Sequence, residues 1–144
     1  MNNYKNMLEY FNYDNNNYNQ PMYTKNMNSN ALYDSYNGFI RGNMYPTLYN
    51  TYKNDKPFEI KPMNEQAKLL TMVDAYCFAL IDIGLYLDIY GNDTDMLTLY
   101  KDYRNELKRV KKEYENKYGP LLLNSDAIDK YPWSWDNNPW PWEN

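Results

Sequence analysis

The sequence predicts a mostly α-helical protein. Its centre is an antiparallel two-helix hairpin, flanked by extended aromatic and Pro-rich segments and preceded by a disordered Asn/Tyr-rich N-terminus. Three observations predict this. Apolar residues recur at alternating spacings of four and three from Leu69 to Tyr90 and again from Met96 to Tyr118, which is the repeat of a helix seam. Only Gly91-Asn92-Asp93 separates the two stretches, and a turn this short makes the helices antiparallel. The periodicity stops on both sides at helix breakers, Pro62 before it and Gly119-Pro120 after it. The chain divides accordingly into a tail (1–36), a strap (37–62), the hairpin (63–120) and a Pro/Trp-rich end (121–144).

The N-terminal 36 residues hold Asn15-Asn16-Asn17 and seven tyrosines from Tyr4 to Tyr36, with no sustained period. Asparagine competes with regular backbone pairing, and a polar tract studded with aromatics has no core of its own. The strap that follows is aromatic and turn-rich. Pro46, Pro57 and Pro62 keep it from being a helix of any length, so it reads as extended with turns. Its apolar residues, Phe39, Ile40, Met44, Tyr45, Leu48 and Tyr49, are placed to cover the first helix.

That helix, about 64–90, starts at an Asn64 cap. Its seam is Leu69, Val73, Tyr76, Leu80, Ile83, Leu87 and Tyr90. A second set, Leu70, Cys77, Phe78, Ile81 and Leu85, lies off the seam, so the helix is apolar around most of its circumference and needs cover on more than one side. Asp74, Asp82 and Asp88 argue against a membrane span, since a carboxylate near mid-bilayer costs roughly 2.5–3.5 kcal/mol. Gly91 suits a left-handed helix end, and Asn92 or Asp93 can cap the next helix. The second helix, about 93–118, carries the seam Met96, Tyr100, Tyr103, Leu107, Val110, Tyr114 and charges elsewhere. Arg109–Glu113 and Glu113–Lys117 sit four apart and each adds a few tenths of a kcal/mol. Matching the seams pairs Leu87 with Tyr100, Leu80 with Leu107 and Val73 with Tyr114. Beyond Pro120, Leu121-Leu122-Leu123 is placed to fold back on the hairpin base.

Two helices bury too little to stand alone, so the first helix is expected to bind flanking segments or another protein through Leu70, Cys77 and Ile81, with self-association as one outcome. The end of the chain repeats Pro132-Trp133-Ser134-Trp135 as Pro139-Trp140-Pro141-Trp142. Prolines hold such a segment extended, and rigid indoles are favoured interface anchors. Tyr131, Trp133, Trp135, Trp140 and Trp142 are therefore candidate partner-binding residues.

Composition narrows the function. The 144 residues carry a net charge of −4, and the lysines of the second helix are interleaved with acids, so nothing points to nucleic acid. Tyrosine numbers 18 and tryptophan four, more than a chain this hydrophilic needs for a core. Histidine is absent. A ferritin-like dimetal site needs Glu-x-x-His pairs, and Ser-His-Asp or Cys-His chemistry needs an imidazole, so none of these can be built. Asp74, Asp82, Asp102 and Glu106 read as solvated or N–H-bonded carboxylates. No Gly-rich phosphate loop is present. No catalytic residue, metal or cofactor is expected. The lone Cys77 reads as a reduced thiol inside the apolar helix, and no apolar leader marks a signal peptide.

Tyr118-Gly119-Pro120-Leu121, Tyr131-Pro132-Trp133-x-Trp135 and Pro139-Trp140-Pro141-Trp142 resemble the spore coat protein JB family of endospore-forming bacteria. Phe78-Ala79-Leu80 and Leu85-Tyr86-Leu87-Asp88 resemble that family's first helix, and the likeness covers roughly residues 63–144. Gly42-Asn43-Met44-Tyr45-Pro46-Thr47-Leu48 is similar to the Gly-Thr-Leu-Phe-Pro-x-Leu motif of the short JA coat proteins, departing from it at Asn43, Met44 and Tyr45. The resemblance implies a non-enzymatic structural protein of the endospore coat, made in the mother-cell cytoplasm. It also implies assembly with other coat proteins, among them the manganese-catalase-like JC protein. The alternative is a soluble regulatory hairpin that binds a partner helix or peptide. A coat protein resists extraction from purified spores, whereas a regulator stays in the soluble lysate.

Overall fold

The computed structural model describes residues 32–46 and 57–136. Three helices make the fold: α1 (Ser35–Arg41), α2 (Glu65–Ile89) and α3 (Thr94–Tyr118), followed by a 3-10 turn at Asp126–Ile128. No strand occurs among the described residues. α2 is the central element, with α3 along one side and α1 against another.

α2 begins where Asn64 accepts the Ala67 amide at 2.7 Å, one of the orphan donors of a helix start. It ends without the left-handed glycine the sequence suggests. Tyr90 closes it at φ −117°, and Gly91 does not adopt a positive φ. Asp93 then caps α3, taking the Met96 amide at 3.0 Å. The Met96 amide is the main reason the Asp93 carboxyl sits below its usual range, with the Tyr86 hydroxyl (3.0 Å) adding to it. Gly119, at φ 110°, ends α3.

Twelve of the thirteen predicted seam residues lie in or against the core; the exception is Tyr90, at the end of α2, which is 56% exposed. Leu69, Val73, Tyr76, Ile83, Met96, Tyr103, Val110 and Tyr114 are buried, while Leu80, Leu87, Tyr100 and Leu107 are half-buried. The cross-helix contacts fall earlier on α2 than seam matching predicts. Tyr103 packs its ring on Tyr76 at 5.7 Å, Tyr114 receives a hydrogen bond from the Gln66 amide at 3.1 Å, and Tyr100 lies beside Gly84. The four residues Tyr90–Asp93 reverse the chain directly, so levels are set by the loop and not by the best match of apolar repeats.

The larger correction concerns residues 32–46. Extended strap and tail are expected there, yet Ser35–Arg41 is a helix, and Leu32 and Tyr36 of the presumed tail pack on the core. The reason is local. Asp34 Oδ1 accepts the amides of Tyr36 and Asn37, at 3.1 and 3.0 Å, and Oδ2 takes the Asn37 side chain. Gly42, at φ 68°, ends the helix, with its own and the Asn43 amide returning to Phe39 and Gly38. The prolines that forbid a helix start only at Pro46, so one short helix fits before them. Past it, Met44 is completely buried, and a Tyr33 N–H to Met44 carbonyl bond at 3.0 Å closes the unit. The Tyr36 hydroxyl donates to the Ile60 carbonyl and accepts the Ile60 amide, pinning the strand of chain that leads into α2.

At the far end only Leu121 of the leucine triplet folds back on the core; Leu122 and Leu123 face solvent. Ile128, in the 3-10 turn, is buried. By length and composition α2 is long and apolar enough to cross a membrane. In this fold two of its sides are covered by protein, and Asp82, midway along it, accepts the Met44 amide at 2.8 Å.

Candidate docking surface

Three faces of α2 meet three different environments. Leu69, Met72, Val73, Tyr76 and Ile83 face α3. Ala75, Phe78, Ala79, Asp82 and Tyr86 face the α1 unit: Phe39 tilts onto Phe78 at 6.1 Å, Tyr45 stacks on Tyr86 at 5.7 Å, and Met44 reaches Asp82. The described part of the strap, residues 37–46, therefore covers a different side from the one expected, while Leu48 and Tyr49 lie outside the described residues. It was placed over Leu70, Cys77 and Ile81, but Cys77 is exposed, Ile81 is 66% exposed and only Leu70 is half-buried. The fully buried small residues Ala75 and Ala79 share that side of α2 by helical spacing, and they leave room for α1 and Met44 to approach. Gly38 completes the close approach, since a Cβ on it would overlap Met44 Sδ.

The remaining face is open. Cys77, Ile81, Leu85 and Ile89, each four apart, form one stripe along it, with Leu85 61% and Ile89 76% exposed. Partial desolvation, then Asp74, pushes the Cys77 thiol up, and Lys111 of α3 opposes them. The thiol is therefore a poor nucleophile at neutral pH.

At the C-terminal end Tyr131 is fully exposed, Trp133 is 56% exposed and Trp135 is half-buried. Trp140 and Trp142, like the tyrosines from Tyr4 to Tyr23, lie outside the described residues. Of the four carboxylates read as solvated or N–H-bonded, Asp82 accepts the Met44 amide, Glu106 pairs with Arg109 at 3.0 Å, Asp74 is exposed and Asp102 is half-buried. Among the described residues no three Cys, Asp or Glu side chains gather as a metal site.

A family model, described as CotJB protein, matches residues 67–143, more than half the chain and all of the hairpin from the first turn of α2. The chain belongs to the CotJB family. No curated protein and no solved structure matches it. CotJB membership makes this a spore-coat-related protein and associates it with other coat proteins. The matched span includes both the open face of α2 and the Pro/Trp-rich end, and it excludes the α1 unit. Sequence reasoning found the open-face residues from their off-seam spacing. It missed Ile89 as part of the same surface, although its spacing of four from Leu85 was readable.

Proposed function

We propose that this protein is a non-enzymatic assembly component of the endospore coat that docks other coat subunits through its exposed aromatic and apolar surfaces. Its first partner is a manganese-catalase-like JC protein. The observation that carries the reading is the CotJB match over residues 67–143, a span whose described residues include an exposed apolar helix face and the exposed Tyr131 and Trp133. A chain with no histidine and a buried, tyrosine-filled core has little to offer as a catalyst and much to offer as a rigid connector.

The test is a binding titration of the full chain against a purified manganese-catalase-like coat protein, alongside the double variant Trp140→Ala, Trp142→Ala. Micromolar or tighter binding that the variant loses is the expected result. A variant that melts earlier yet binds at low temperature as the parent does would make the tail an internal staple. The regulatory reading is favoured by the open face of α2 alone, and it requires the protein to stay in the soluble lysate of sporulating cells.

A further inference from the structure

The open face of α2 does not stand alone. α3 runs beside it and presents Lys101, Arg104, Lys108 and Lys111, spaced by three and four and so on one side of the helix. That side borders the open face, because Lys111 acts on Cys77 and Tyr100 lies beside Gly84. The opposite side of α3 faces the α1 unit, where Glu106 and Arg109 act on Tyr76 together with Asp34.

The two sides differ in how their charges are used. On the α1 side Arg109 pairs with Glu106 and Glu113, and Lys117 pairs with Glu113 at 2.9 Å. On the open side Lys101, Arg104 and Lys108 are exposed and make no ion pair or side-chain hydrogen bond among the described residues; Lys111 alone has a partner, Glu115 at 3.7 Å. With Tyr103 beside Tyr76 and Tyr100 beside Gly84, these cations lie alongside α2 from about Val73 to Ile83. Farther on, the face is mainly apolar, with Leu85, Ile89 and, from α3, the partly exposed Leu97, and the exposed Asp88 is the one charge of α2 among them.

We propose that this two-helix face holds an acidic amphipathic helix of a partner protein. The helix lies along α2 with its apolar side on Cys77, Ile81 and Leu85 and its carboxylates on Lys101, Arg104 and Lys108. A helix laid along α2 from Cys77 to Ile89 would make contact over roughly 18 Å at 1.5 Å per residue, three turns, which is the length over which helix-in-groove recognition operates. Charge decides among the occupants. A second copy laid face to face would bring two cation rows together with only Asp74 and Asp88 of each copy to oppose them, so a homodimer here is disfavoured. This deepens the assembly reading by naming the chemistry of one partner element.

Cys77 is the sole cysteine of the chain and lies on the face, so it reports occupancy directly. The experiment measures the alkylation rate of Cys77 in the full chain at about pH 8.5. It compares a helical peptide of about 18 residues, with leucines on one side and glutamates flanking them, against the same peptide with lysines in place of glutamates. The expected result is at least a tenfold slowing by the glutamate peptide and none by the lysine peptide, with the slowing weakened by salt. In K101E/R104E/K108E the preference should reverse. Equal protection by both peptides, or by neither, overturns the proposal. Protection by phosphatidylglycerol vesicles in place of the glutamate peptide overturns it too, as does protection by raising the protein concentration alone. A protein found in the coat but indifferent to the peptide refutes this inference alone; peptide protection in a protein absent from the coat refutes the assembly reading alone.

Discussion

Met44 and Gly38 are the pair on which the α1 unit depends. Met44 is completely buried and its sulfur occupies the space a side chain at position 38 would need. Gly38→Ala therefore overpacks the site and should cost about 1–3 kcal/mol, while Met44→Ala opens a cavity and should cost about 2–5 kcal/mol. Together they should cost less than the sum, because each relieves the other. Thermal melts of the two singles and the double form the cycle that checks this, and strict additivity would mean that the two residues do not share the site. The buried phenols give a second expectation. Burial first, then the charge of Glu106, pushes Tyr76 up to about 12 from an ordinary value of 10.0, and burial with Asp82 pushes Tyr45 up as well. A phenol whose folded value is raised stabilises the fold fully below its unfolded value and loses that contribution as pH rises toward the folded one. Stability should thus fall from about pH 10 upward, and tyrosinate absorbance should show a late phase that coincides with unfolding. Tyr76→Phe should flatten the fall. An unchanged alkaline slope in that variant would show that Tyr76 ionises freely in the folded protein.

At the scale of elements, adjacent residues of α2 have opposite fates. Leu80 packs against the core, whereas Ile81 faces solvent. Leu80→Asp buries an unpaired charge and should cost several kcal/mol; Ile81→Asp should fall within about 0.5 kcal/mol of the parent. Helical circular dichroism on heating separates them, and equal losses would mean that the open face is covered in solution. The helices α2 and α3 were legible because three heptads of seam and two polar caps, Asn64 and Asp93, all agree. The helix α1 was not, although its signals are present: Asp34 before it and Gly42 after it. Seven residues are too few for a period to emerge, and the three prolines downstream suggested extended chain throughout. The seam of α2 was also only half the answer. Apolar spacing says that Phe78, Ile81 and Leu85 are off the α3 side, but which of them α1 covers depends on the small residues Ala75 and Ala79 and on the chain path of residues 42–46. The candidate site was legible to the same degree, with Leu70, Cys77 and Ile81 named from spacing. The unpaired cation row beside them was read as interleaved charge, since pairing across a helix face becomes visible only when side chains are placed.

For the molecule as a whole the open question is what the Pro/Trp-rich end does. Among the described residues, tyrosines and aliphatic residues close the core between α2 and α3. Trp133 and Trp135 stand in contrasting positions only two residues apart. Trp133 is more than half exposed beside a fully exposed Tyr131, whereas Trp135 is half-buried and engaged within the chain. On the proposed reading, Trp135 acts as a staple and Trp133 as an anchor. Trp135→Ala should lower the melting temperature through lost packing while binding at low temperature persists. Trp133→Ala should leave melting nearly unchanged and weaken partner binding by about 2 kcal/mol or more, roughly thirtyfold in Kd, because an exposed indole gains its contacts only on docking. Both measurements use the full chain, one by calorimetric melting and one by titration with the manganese-catalase-like protein. The reverse pattern, a melting loss at Trp133 with binding intact, would assign the exposed indole to the fold and move the docking surface to the open face of α2.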